Sequence, residues 1–179
     1  MKFVETRLAG VFQIDIEPHC DERGFFARTW CHKEFEEHGL NGKAAQCSTS
    51  FNPRKGTLRG IHFQAEPHPE TKLVRCTRGE IFDVAVDLRP SSPTFGQWTG
   101  IVLSPENQIM LYIPAGCGHG FLTLEDRSEV SYIISEDYYP ELSRGVRWND
   151  PAFAIEWPQQ PTLISERDNT YPDFHRNEA

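Results

Sequence analysis

Thirteen glycines and thirteen prolines, spread through 179 residues rather than clustered, confine this chain to short elements. The runs between them are rich in valine, isoleucine, phenylalanine and tyrosine, side chains that suit a pleated, half-buried surface. Punctuation at this spacing predicts an all-β fold of many short antiparallel strands. A sandwich or a double-sheet jelly roll fits, and the mouth of such a barrel can hold a small ligand. Strands are expected over residues 10–18, 58–64, 73–78, 81–88, 96–103, 108–113, 120–123 and 129–135. One helix is expected over 32–38, closed by Gly39.

The clearest alternation is Ile81-Phe82-Asp83-Val84-Ala85-Val86-Asp87-Leu88. Phe82, Val84, Val86 and Leu88 form one face, read as core, while Ile81, Asp83, Ala85 and Asp87 form a partly polar face. From about residue 138 the composition turns to proline and polar residues. That tail is expected to wrap the barrel or a partner rather than add strands to it. The length suits a single domain over residues 1–179 with its own core.

A net charge of -8 excludes general attraction to nucleic acid or anionic membrane surfaces, so any basic site must be local. No membrane-spanning or secretory segment is legible. The five cysteines, Cys20, Cys31, Cys47, Cys76 and Cys117, are odd in number and never spaced Cys-x-x-Cys. A disulfide framework and a thiolate zinc site are therefore not expected, and a reducing cytoplasm is the simplest location.

A local basic site is legible in Thr57-Leu58-Arg59-Gly60-Ile61-His62-Phe63-Gln64, followed by Lys72-Leu73-Val74-Arg75. Arginine grips phosphate oxygens in a planar fork, lysine sets a compact charge beside a developing oxyanion, and histidine moves protons near neutral pH. The bland reading of this trio is a solvated basic face with one satisfied histidine. Strict alternation separates Arg59 from His62, but a bulge at Gly60 would bring both to one ligand.

Pro114-Ala115-Gly116-Cys117-Gly118-His119-Gly120-Phe121 resembles the second conserved box of cupin jelly rolls, where the histidine is often a metal ligand. His62 is followed by Phe63 and Gln64, so the paired histidines of the first box are missing and no metal is expected. His119 is instead expected to hydrogen-bond substrate or orient a neighbour.

Taken together, Arg59-Gly60-Ile61-His62-Phe63-Gln64, Lys72-Leu73-Val74-Arg75, Asp83-Val84-Ala85-Val86-Asp87-Leu88-Arg89, Ser92-Pro93-Thr94-Phe95-Gly96, His119-Gly120-Phe121 and Trp148-Asn149-Asp150-Pro151 resemble the dTDP-4-dehydrorhamnose 3,5-epimerase family. The resemblance runs from Asp21-Glu22-Arg23-Gly24-Phe25-Phe26 to Ser165-Glu166-Arg167-Asp168. It implies a cupin-type double-stranded β-helix with a few short peripheral helices, assembled as a homodimer. It also implies cofactor-free inversion beside the 4-keto group of a nucleotide-diphosphate 6-deoxysugar.

By that resemblance His62 is the base, Asp168 its orienting carboxylate, Tyr132 the proton donor on the opposite face and Lys72 the group beside the ketone. Asp83 remains an alternative partner for His62, and otherwise lies behind the reacting groups. Arg23 and Arg59 match positions at the diphosphate and nucleotide end, Gln46 belongs with them, and Arg167 stands where the family usually has lysine, still able to pair with phosphate. Tyr138 and Tyr139 compete for the position that stacks on the base.

Three positions depart from the family pattern. Arg28 and Ser143 stand where glutamate is usual, and Cys47-Ser48 follow Gln46 where the family has asparagine. Replacing a carboxylate by a guanidinium turns an acceptor into a donor, so recognition of another nucleotide or a modified ketosugar is an open expectation. A monoepimerase or keto-isomerase is the near alternative, and a non-catalytic sugar-nucleotide-binding cupin or a metal-dependent cupin oxygenase the distant ones. Residues 2–16 are expected to offer a strand for exchange across a two-fold dimer, with Arg23 or Arg28 reaching the neighbouring site.

Overall fold

The computed structural model of the chain describes residues 1–175. The chain begins with β1 (Lys2–Glu5), β2 (Phe12–Asp15), the small hairpin β3 (His19–Asp21) and β4 (Gly24–Phe26), and helix α1 (His32–Glu37). The central strands follow: β5 (Gln46–Asn52), β6 (Thr57–Gln64), β7 (Lys72–Arg78), β8 (Ile81–Asp87), β9 (Trp98–Leu103), β10 (Ile109–Ile113), β11 (Cys117–Thr123) and β12 (Ser128–Ile134). A 3-10 turn (Pro140–Leu142), β13 (Ser143–Gly145), β14 (Leu163–Ile164) and the one-turn α2 (Glu166–Asn169) complete it.

The strands form two facing sheets, one in the order β1-β2-β10-β7-β12-β5 and the other β13-β6-β11-β8-β9, with β14 added alongside β6. All pairings are antiparallel except β14 with β6. This is a cupin-type jelly roll. Between the sheets lies a core of Val74, Cys76, Leu111, Ile113 and Val130 from the first and Ile81, Ala85, Leu103, Cys117 and Phe121 from the second.

Outside the first sheet, α1 buries Phe35 against Ile14, Leu73, Met110 and Tyr112. The expected Gly39 stop is present: Gly39 has φ +70 just past the helix, and its N–H bonds the Glu36 carbonyl. Residues 2–16 are not one strand. Gly10, at φ +75, turns the chain between β1 and β2, leaving β1 as an open sheet edge.

The reading of β8 needs correction, because both of its faces are buried. Ile81, Asp83, Ala85 and Asp87 point into the barrel, whereas Val84, Val86 and Leu88 lie under Val146, Phe153, Ile155, Trp157 and Phe174 of the C-terminal segment. The apolar face is apolar because the tail covers it. The tail also contributes strands, against expectation: Ser143–Gly145 pairs with Gln64, Phe63 and His62, and Leu163–Ile164 runs parallel to Thr57 and Leu58. Strand β5 was not legible either, since Gln-Cys-Ser-Thr-Ser-Phe-Asn lacks apolar alternation. Its inward residues face a cavity rather than a core.

Candidate active site

One end of the barrel opens into a cavity of about 770 Å³. Two sheets supply its walls. β6 and β11 contribute Arg59, His62, His119 and Phe121, and the facing β5, β7 and β12 contribute Gln46, Ser48, Ser50, Lys72 and Tyr132.

Arg59 and His62 reach the same cavity through the expected bulge. Opposite β11, His119 pairs with His62 and Phe121 with Arg59, so three steps along β6 match two along β11. Gly60 absorbs the extra residue at φ +128. A Cβ there would sit 2.4 Å from the Gly120 Cα, so only glycine fits this crossing. Arg59 is held by its Nε donating to Asn52 Oδ1 at 2.8 Å.

Two histidine–carboxylate pairs lie side by side. His62 Nε2 is 2.6 Å from Asp168 Oδ1, and His119 Nε2 is 2.7 Å from Asp83 Oδ1. The rivalry between Asp83 and Asp168 for His62 thus resolves in favour of Asp168, and Asp83 stands behind His119. Parallel pairing of β14 with β6 carries the chain back to the barrel mouth, where Ser165 caps α2 by accepting from the Asp168 N–H at 3.1 Å. Asp168 also accepts the Gly60 N–H at 3.2 Å. Burial works to raise its carboxyl, but the hydrogen bonds from His62 and Gly60 prevail and hold it below the ordinary carboxylate value. An ionised Asp168 can only accept, so His62 carries its proton on Nε2 and has Nδ1 free as a base.

Tyr132 enters from the opposite sheet, its ring centroid 6.0 Å from that of His119. Burial holds its phenol far above the ordinary value, and the nearby Asp83 carboxylate adds to the shift. It therefore stays protonated at any physiological pH. Burial also pushes Asp83 up, opposed by the His119 and Lys72 charges.

Toward the mouth, Tyr138 lines the cavity, whereas Tyr139 stacks on His68 with ring centroids 4.2 Å apart. The buried Gln64 fixes this rim by donating to the His68 and Asp137 carbonyls and accepting the Tyr139 N–H. Arg167 and Ser143 meet there, Arg167 Nη2 donating to Ser143 Oγ at 2.9 Å and Nε to the Tyr171 hydroxyl at 2.7 Å.

Arg23 and Arg28 are the exceptions, for neither lines the cavity of its own chain. Arg23 sits on the exposed β3–β4 hairpin in an ion pair with Asp21, and Arg28 pairs with Glu34 of α1. Both side chains are exposed, on the arm that runs from the β3–β4 hairpin to α1. Conversely, Glu70 lines the cavity 2.9 Å from the Lys72 ammonium, and Ser50 and Ser165 line it as well. Glu70 had a legible signal, since residues two apart in extended chain share a face. Among the described residues, no three His, Cys, Asp or Glu side chains gather as a metal-ligand group.

A cupin-type barrel whose mouth sets a carboxylate-paired histidine against a phenol across one cavity is an architecture suited to a proton-transfer isomerase. The profile of the dTDP-4-dehydrorhamnose 3,5-epimerase family matches residues 5–176. The dTDP-4-dehydrorhamnose 3,5-epimerase of Methanothermobacter thermautotrophicus is 45% identical, covering 98% of this chain and 96% of its own. The crystal structure of the Elizabethkingia anophelis enzyme of that name superposes with TM-score 0.94 at 40% identity, over 97% of this chain and 96% of its own. A Legionella pneumophila dTDP-6-deoxy-D-glucose-3,5-epimerase in complex with dTDP-4-keto-L-rhamnose superposes with TM-score 0.87 at 38% identity, over 93% of this chain and 89% of its own. The chain belongs to the dTDP-4-dehydrorhamnose 3,5-epimerase family.

Proposed function

We propose that this protein inverts C3 and C5 of a nucleotide-activated 4-keto-6-deoxyhexose, converting dTDP-4-dehydro-6-deoxy-D-glucose to dTDP-4-dehydro-L-rhamnose. The observation that carries this reading is the His62–Asp168 pair, at 2.6 Å, facing the protonated Tyr132 from the opposite sheet of one cavity. Epimerisation beside a ketone needs a base on one face, a donor on the other and positive charge at the enolate oxygen. His62 Nδ1 takes the proton from the carbon, and the electron pair of the broken C–H bond moves into the enolate. Lys72 stabilises the resulting oxyanion. Tyr132 returns a proton to the opposite face of the carbon, inverting it, and the phenolate then regains a proton. Nothing is oxidised or reduced overall, so the reaction requires no redox cofactor.

Arg59 binds the diphosphate, because its Nε is spent on Asn52 while the other guanidinium donors remain for phosphate oxygens. Tyr138 stacks on the base, and Gln46, Ser48, Ser143, Arg167 and His119 complete the contacts. The bound dTDP-sugar in the Legionella relative supports dTDP as the nucleotide. The whole chain acts as one unit, working as a cytoplasmic homodimer in which Arg23 and Arg28 serve the partner's cavity. The exposed Phe25 and Phe26 beside Arg23, and the open edge of β1, support that assembly.

Incubation with dTDP-4-keto-6-deoxyglucose in heavy water, followed by NMR, tests the activity. Deuterium at both C3 and C5 is expected. Label at C3 alone would reduce the reaction to a monoepimerisation, and no label with any 4-ketosugar nucleotide would remove catalysis. Competition among dTDP, UDP, CDP and GDP tests the base, with dTDP expected to bind tightest.

A further inference from the structure

Glu70 is an unexpected occupant of a wall that has to stabilise an oxyanion, because a carboxylate opposes the charge the reaction develops. Its Oε1 lies 2.9 Å from Lys72 Nζ, and both side chains are only 12% exposed. The same ammonium donates to the main-chain carbonyl of His62 at 3.4 Å. An ammonium has three donors on a flexible four-carbon stem, and here two of them are already engaged. Tetrahedral geometry then fixes the direction of the third.

A second acceptor stands ready nearby. Asp83 Oδ2 is buried with no hydrogen-bond partner among the described residues, and the Asp83 carboxyl already feels the Lys72 charge. An untethered Lys72 would therefore be drawn inward to Asp83, away from the substrate. We propose that Glu70 is a positioning residue, which holds Lys72 toward the mouth so that its remaining N–H is aimed at the ketone oxygen of the bound sugar. Glu70 touches neither the reacting carbons nor the leaving proton; it acts through Lys72. The role rests on the ketosugar reading above.

A set of variants assayed for turnover tests it: Glu70→Ala, Glu70→Gln, Lys72→Met and the two double variants that combine each Glu70 change with Lys72→Met. Loss of aim slows the chemical step while leaving nucleotide binding intact, so Glu70→Ala is expected to lower kcat about tenfold or more with KM changed less than about twofold. Glutamine keeps an acceptor for the ammonium, so Glu70→Gln is expected to recover kcat to within about threefold of the parent. Once Lys72 is methionine, either Glu70 change should cost nothing further.

An unchanged kcat in Glu70→Ala, or losses that multiply in the double variants, would overturn the role. Equal damage from alanine and glutamine would do so too, because charge rather than aim would then matter. If Glu70→Ala fails to fold, Glu70→Leu, which keeps the bulk but offers the ammonium no acceptor, takes its place in the cycle with Lys72→Met, since a merely structural glutamate would show no coupling to Lys72. A parent inactive on every 4-ketosugar nucleotide removes the activity reading and this role with it; an active parent with an unaffected Glu70→Ala removes the role alone.

Discussion

In the proposed reaction His62 and Tyr132 divide the proton traffic between the two faces of the sugar, and each division has its own signature. Asp168 fixes the tautomer that leaves Nδ1 free, so Asp168→Asn allows the wrong tautomer without changing shape. Comparable losses of an orienting carboxylate reach about 10⁴ in kcat. A fall of at least about 10²-fold, with dTDP affinity within about threefold, is expected from steady-state kinetics and calorimetry. Tyr132→Phe removes the donor but leaves the base, so loss of substrate C–H protons should persist while inverted product falls about 10²-fold or more. NMR in heavy water separates the two, and equal loss of exchange and inversion would argue against the assignment.

Among the elements, the end of β8 shows how a motif shared with the family can serve the fold instead of the chemistry. Asp87 is fully buried and accepts from Arg89, Ser92 and Thr94, closing the loop that follows the strand. Burial opposes its ionisation, yet those donors win and bring its carboxyl down to about 2 from 3.8. A depressed carboxyl stabilises the folded state above its unfolded value, and that contribution disappears as pH falls through the folded one. Nearly two units correspond to about 2 kcal/mol, present above about pH 4 and lost toward pH 2. Denaturant unfolding of the parent and of Asp87→Asn should differ by about that much at pH 6 and converge near pH 2. A difference independent of pH would contradict the ionic origin.

At the scale of the whole molecule, Arg23 and Arg28 leave the cavity of their own chain and stay on an exposed arm. If that arm serves a partner, two individually inactive homodimers should complement each other. Mixing His62→Ala with Arg23→Ala under conditions that exchange subunits should restore activity toward about a quarter of the parental level, because half the dimers are mixed and each then carries one intact site. Measurement of turnover after mixing checks this, and additive residual activity with no recovery would make each site self-contained.

Much of this protein is written locally. Turn residues and strand periodicity act over a few neighbours, so the all-β architecture, the Gly39 stop and the Gly60 bulge were legible in the chain, and its motifs pointed to His62, Lys72, Tyr132 and Asp168, which line one cavity. The rest depends on which segments meet. His62 and Asp168 are 106 positions apart and come together only because β14 runs beside β6. Pairing of β5 with β12 turns a polar run into cavity wall, and the C-terminal segment buries the face of β8 that alternation alone marks as core. Only the closed barrel decides that Tyr138 rather than Tyr139 faces the cavity, because burial and stacking partners are properties of the assembled sheets.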